Sequence, residues 1–251
     1  MQTWIGVTVA VVVFSLGGCG GKKDDECKAM IPVANKDIEA LKASAAAAAA
    51  KSGAGAKELS AAIVLVAETA EKLAGDISKK GPTTAELQKA SSDYQAMAKA
   101  IAAAALDDAD SLDHIAALEP KVRPDIADAD RKTLTASQEK VKQRCTEHPA
   151  PECKAIASLS STLTPTSIPE QLDKVEADLG KIRGRDVALG PLVTTLRGAI
   201  TGLARALRDA TDAAVELKAA QAKRITTKAA VDAALAKEAP ITASLAAFCS
   251  K

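Results

Sequence analysis

Aromatic side chains are nearly missing from this 251-residue chain: past residue 18 only Tyr94 and Phe248 remain. Base stacking, aromatic sugar platforms and aromatic cages each need several rings, so these modes of recognition are nearly excluded. An excess of charge of one sign is missing too. The formal net charge is +1, and neither half of the chain is polybasic. The electrostatic footprint of a nucleic-acid-binding protein is therefore absent, and no nucleic-acid partner is expected. Histidine is limited to His114 and His148. With no Gly-x-Ser-x-Gly, His-Glu-x-x-His or phosphate-loop pattern, no nucleophile arrangement can be assembled and no enzyme is expected. Strand signals are scarce. The apolar run Ile5 to Phe14 is too short for a membrane span, which needs about 20 apolar residues.

What the chain does have is alanine, with Leu, Glu, Lys and Asp, a composition that points to long helices or coiled coil. Apolar residues recur in heptads. Ile31, Ile38, Ala45, Leu59, Val66 and Leu73 fall on one seven-residue ladder. Ala34, Leu41 and Ala48 accompany them, followed by Ile63, Ala70 and Ile77, as in the a/d seam of packed helices. Ser52-Gly53-Ala54-Gly55 interrupts the ladder, which resumes in phase. One long helix with a weak point is expected over 27–80. Lys79-Lys80-Gly81-Pro82 is a stop signal, and Thr83 or Thr84 caps the next helix, with Glu86 in its first turn. That helix carries Leu87, Ala90, Tyr94, Met97, Ile101, Ala104, Ile115 and Leu118 as its seam. Pro120 and Pro124 break the chain before a third helix with Ile126, Leu134 and Val141. After Thr146–Pro151 comes a short helix from Cys153. A heptad run then extends from Ile168 through Leu172, Val175, Leu179, Ile182, Leu189, Val193, Leu196, Ile200 and Leu203 to Leu207. Gly190-Pro191 lies inside it and predicts a tight turn, because proline in a helix interior costs roughly 3 kcal/mol. The last long helix is expected to reach Glu238, with a break at Pro240.

Leu16-Gly17-Gly18-Cys19 directly follows the short apolar run and precedes the charged body. An aliphatic residue, two small residues and a cysteine resemble the lipobox of bacterial lipoproteins. The resemblance covers the first nineteen residues or so and implies a signal over 1–18, cleavage before Cys19, and acylation of that cysteine by a diacylglyceryl group and a further acyl chain. Two or more chains give stable anchoring where one gives only reversible binding. Membrane lipid held through acylated Cys19 is then the first partner. Gly20, rather than Asp, after the cysteine implies the outer membrane rather than inner-membrane retention.

Cys27, Cys145, Cys153 and Cys249 remain as an even set, which in an exported chain predicts two disulfides. Pairing within halves, Cys27–Cys145 and Cys153–Cys249, suits an arm running out over 27–80 and back over 83–145. The nested alternative is Cys27–Cys249 with Cys145–Cys153, and a crossed scheme is the third. Glu26-Cys27-Lys28-Ala29 and Glu152-Cys153-Lys154-Ala155 share a context that hints at internal duplication, although the rest of the halves does not align. Cys145, His148 and Cys153 could begin a zinc site but lack a fourth ligand, so no metal is expected. Asp107, Asp108, Asp110, Asp113, His114 and Glu119 partly match a calcium loop. Asp113 stands where the sharp turn needs glycine, and a solvated helix face fits better. Lys181, Arg183, Arg185, Arg197, Arg205 and Arg208 make a mildly basic face interrupted by acids.

The fold class that follows is all-α: an elongated, coiled-coil-like antiparallel helical bundle with a hint of two similar halves. The expected divisions are a signal over 1–18, a lipidated tether over 19–26, a helical half over 27–145, a linker over 146–152 and a second half over 153–251. The function expected is that of a non-enzymatic envelope lipoprotein, a helical scaffold or a body that binds an envelope protein partner, without a cofactor. The alternative is a periplasmic carrier holding an apolar ligand between Ala-lined helices, and an envelope enzyme stands third.

Overall fold

A computed structural model describes residues 21–164, 166–182 and 186–250. Every regular element among them is helical, so the fold is all-α. The α-helices are α1 (Lys22–Ala50), α2 (Ala56–Ser78), α3 (Ala85–Leu118), α4 (Asp128–Glu147), α5 (Pro151–Ser161), α6 (Pro169–Lys181), α7 (Leu189–Leu235) and α8 (Glu238–Cys249). A single 3₁₀ turn, Glu119–Val122, follows α3. The packing separates two compact units. One is built from the described residues up to Ala116 together with those from Lys218 onward, the other from Ala117–Leu217. The expected halves 27–145 and 153–251 therefore each contribute to both units.

The first unit is a four-helix bundle. α1 and α2 form an antiparallel hairpin, not the single long helix expected over 27–80. The turn lies at 51–55, around Gly53 and Gly55. All twelve apolar ladder positions are buried as predicted. Folding back lets the two seams cover each other, whereas one straight helix would leave both in water. Gly81 ends the second arm with φ +48, a left-handed conformation that glycine adopts without a Cβ clash. α3 then runs alongside, its buried Ser60 contact donating from α2 to the Ala109 carbonyl at 3.3 Å. The fourth position is filled by the end of α7 and by α8, antiparallel to α3: Thr227 meets Asp108 at 3.1 Å and Tyr94 meets Thr242 at 2.8 Å. α1 starts at Lys22 rather than Cys27, so much of the expected tether over 19–26 is helical. Asp24 and Asp25 sit in its first turn, where the helix dipole favours negative charge.

The second unit has the same up-down-up-down order. Gln138 of α4 donates to the Ser160 carbonyl of α5 at 3.2 Å. Glu176 and Asp173 of α6 pair with Arg197 and Arg208 of α7. Its core is Leu134, Val141, Ile156, Leu172, Leu179, Leu196, Ile200 and Leu203 with their neighbours. The break in the Ile168–Leu207 run precedes Gly190-Pro191: α6 ends at Lys181 and α7 begins at Leu189. Pro191 thus sits in the first turn of α7, where a missing N–H loses no helical bond. Pro240 does the same in α8, and α7 stops at Leu235.

Candidate functional site

Cys19, the residue on which the localisation rests, lies outside the described residues, as do Arg183 and Arg185. Among the described residues, the best-formed polar constellation is at the start of the first unit, where α1 begins, α8 ends and the α2–α3 turn passes. Cys27 is bonded there to Cys249, with Cα atoms 5.9 Å apart. Cys145 is bonded to Cys153 in the second unit, with Cα atoms 5.6 Å apart. This is the nested scheme, so the within-half pairs Cys27–Cys145 and Cys153–Cys249 are corrected. The reason is the α1–α2 hairpin. It returns the chain to the Cys27 end by Ser78, so α3 leads away again and α4 packs in the other unit.

Next to Cys27, Glu26 caps a helix that is not its own. The backbone N–H and hydroxyl of Thr83 donate to its Oε1 at 3.0 and 2.6 Å, and those of Thr84 to Oε2 at 3.0 and 2.7 Å. The two hydroxyl bonds, reinforced by the two amides, hold its pKa down from 4.5 to about 2. The sequence pointed to Thr83 or Thr84 as the cap, with Glu86 in the first turn, and gave no sign of Glu26. No local pattern could reveal a cap from a residue so distant in sequence. Lys23 lies over the Phe248 ring, 4.7 Å from its centroid. An open cleft of about 310 Å³ beside them is lined by Lys22, Asp25, Glu26, Ala29, Met30, Lys80 and Pro82. Its charges are of both signs, and the Glu26 carboxylate is already saturated.

Two polar networks cross the first bundle. Thr242 donates to Glu238 at 2.7 Å, so the Tyr94 hydroxyl must be the donor in its bond to Thr242. Glu238 in turn pairs with Lys42 at 3.0 Å. Burial pushes the Tyr94 pKa up to about 12, and the Glu238 carboxylate adds to the shift. The second network centres on Asp108, whose side chain is 1% exposed. It accepts from Thr227 and faces Arg224 at 3.6 Å. Burial raises its pKa, opposed by Arg224 and Thr227. The first network ties α1, α3 and α8 together and the second joins α3 to α7.

The remaining expected residues are placed as follows. Asp107, Asp110, Asp113 and His114 are exposed on an unbroken α3, while Asp108 turns inward. The calcium-loop pattern is therefore a helix face. His148 is exposed at the end of α4. Among the described residues, no three His, Cys, Asp or Glu side chains gather as metal ligands. Of the four described residues of the basic face, Lys181 pairs with Asp178, Arg197 with Glu176 and Arg208 with Asp173. No described helix is long and apolar enough to cross a membrane. No known protein family, curated protein or solved structure matches this chain.

Proposed function

We propose that this chain is a non-enzymatic lipoprotein of the bacterial cell envelope, anchored through acylated Cys19 at the outer membrane, whose bundles serve as a scaffold or bind an envelope protein. The place rests on Leu16-Gly17-Gly18-Cys19 behind the short apolar run. The role is carried by one observation: the helical interiors are filled by their own side chains. Tyr94, Met30, Met97 and Ile101 are each no more than 1% exposed. Such packing favours a rigid body over a carrier that must open between its helices. Leu65, Leu106 and Ile225 of the first unit point outward and offer apolar contact. The envelope-scaffold reading is tested in two steps. Metabolic labelling with a lipid precursor should mark the wild-type protein and not the Cys19→Ser variant; label that persists in that variant would sink the anchor. Photo-crosslinkers at positions 65 and 225 should then give discrete adducts with an envelope protein. An apolar small molecule recovered by solvent extraction instead would favour the carrier.

A further inference from the structure

The two units repeat one another, but not in the order of the chain. Glu26-Cys27-Lys28-Ala29 opens α1, and Glu152-Cys153-Lys154-Ala155 opens α5. In both places the glutamate accepts from the backbone of the chain entering the third helix. Glu26 accepts from the backbone N–H of Thr84 at 3.0 Å, at the start of α3. Glu152 accepts from that of Asp186 at 3.3 Å, just before α7. Thr84 and Asp186 are 102 positions apart, and that shift also aligns the buried faces on either side. In the preceding helices Ala70, Leu73 and Ile77 correspond to Leu172, Val175 and Leu179, all buried. In the following helices Leu87, Tyr94 and Ile101 correspond to Leu189, Leu196 and Leu203, again all buried. The sequence comparison missed this because identities are few and α1 and α2 are much longer than α5 and α6.

Each repeat also ends in a fourth helix carrying a cysteine near its end: Cys145 on α4 and Cys249 on α8. The fourth helix does not pack with its own repeat. α4 belongs to the unit of α5, α6 and the start of α7, while α8 belongs to the unit of α1, α2 and α3. We infer that the chain is a duplicated four-helix unit whose two copies have exchanged their fourth helices. Both disulfides follow: each joins a first-helix cysteine of one repeat, Cys27 or Cys153, to the last-helix cysteine of the other. α7 explains the exchange. It runs unbroken from Leu189 to Leu235, through the division at Leu217, and a continuous helix cannot fold back along its own bundle. The first repeat is interrupted at the corresponding point, between Leu118 and Asp128. The unexchanged isomer, with Cys27–Cys145 and Cys153–Cys249, would then form where α7 is broken near Leu217, the hinge-dependent choice known in domain swapping.

The test uses the whole chain as Cys19→Ser, reduced, denatured and refolded in a glutathione buffer, with disulfides mapped in the helical monomer. The native protein should give Cys27–Cys249 and Cys145–Cys153. A flexible Gly-Ser loop of about five residues inserted after Leu217 should let the fourth helix turn back, raising Cys27–Cys145 and Cys153–Cys249 to a tenth or more of the monomer. Cys27–Cys153 or Cys145–Cys249 in the helical monomer of either protein would overturn the inference, as would a folded loop variant with nested pairs only. Should the insertion unfold the chain, two-cysteine variants decide. In the uninserted chain, a variant retaining Cys27 and Cys249 should close its bond at least tenfold faster than one retaining Cys27 and Cys145, despite the longer loop, and equal or reversed rates would refute the exchange.

Discussion

Removing each disulfide in turn should expose a large asymmetry between them. The comparison is Cys27→Ala/Cys249→Ala against Cys145→Ala/Cys153→Ala, with the urea unfolding of each followed by circular dichroism. The first bond spans 222 residues and the second 8. In the chain-entropy account a cross-link restricts the unfolded chain in proportion to the logarithm of the loop, which gives about 5 kcal/mol for the long closure and about 2.5 kcal/mol for the short one. Both bonds stay within one packed unit, so neither removal parts one unit from the other. Cys27 is buried and Cys145 half-buried, and alanine at either site avoids stranding a buried hydroxyl. The long-loop variant should therefore unfold at the lower urea concentration, with a difference of about 2–3 kcal/mol. Its m-value should also rise more, because an unfolded chain freed from a long loop exposes more surface. A short-loop variant that loses as much stability as the long-loop variant would refute this reasoning. So would m-values unchanged in both, since they would place the stabilisation in native contacts instead.

The polar networks give three further expectations. Tyr94→Phe removes the donor to Thr242 but keeps the ring, and should lower stability by about 1 kcal/mol, whereas Tyr94→Ala should lose about 3–5 kcal/mol in thermal or urea melts; equal losses would mean the hydroxyl, not the ring, dominates. Burial raises the Asp108 pKa in the folded state, so the aspartate stabilises least where it is ionised. Relative to Asp108→Asn, the wild type should lose stability as pH rises through that raised pKa and draw level below 3.8; a pH-independent difference would contradict it. For Glu26 the sign is opposite: a carboxylate lowered to about 2 stabilises fully above its ordinary 4.5 and loses this as pH falls toward 2. Glu26→Gln should be less stable at neutral pH and show a shallower acid transition, and an unchanged acid limb would show that the cap carries no charge-dependent stability.

Legibility in the sequence followed the range of each interaction. The seams of α1, α2, α3, α6 and α7 were readable because periodicity is local: a residue's face is set by its neighbours three and four positions away. The stop at Gly81-Pro82 was readable for the same reason, since backbone geometry there depends on one glycine. Periodicity is silent about whether two in-phase seams belong to one helix or to two that face each other. Ile31 to Ile77 satisfies both, and the choice falls to which arrangement covers the seams. From that one ambiguity the wrong disulfide pairing followed, because a single helix over 27–80 would have brought residues 83–145 back beside Cys27. The Glu26 cap and the Tyr94–Thr242–Glu238–Lys42 chain were beyond reach for a different reason. Each joins residues tens to hundreds of positions apart, and their side chains are unremarkable in isolation. The duplication lies between these cases. Its trace, the repeated Glu-Cys-Lys-Ala, was visible, but the inference rests on a burial register shared by helices of different length and a fourth helix found in the other repeat's bundle. Neither can be written in residue identities alone, which is why a chain with few matching letters can still be one fold used twice.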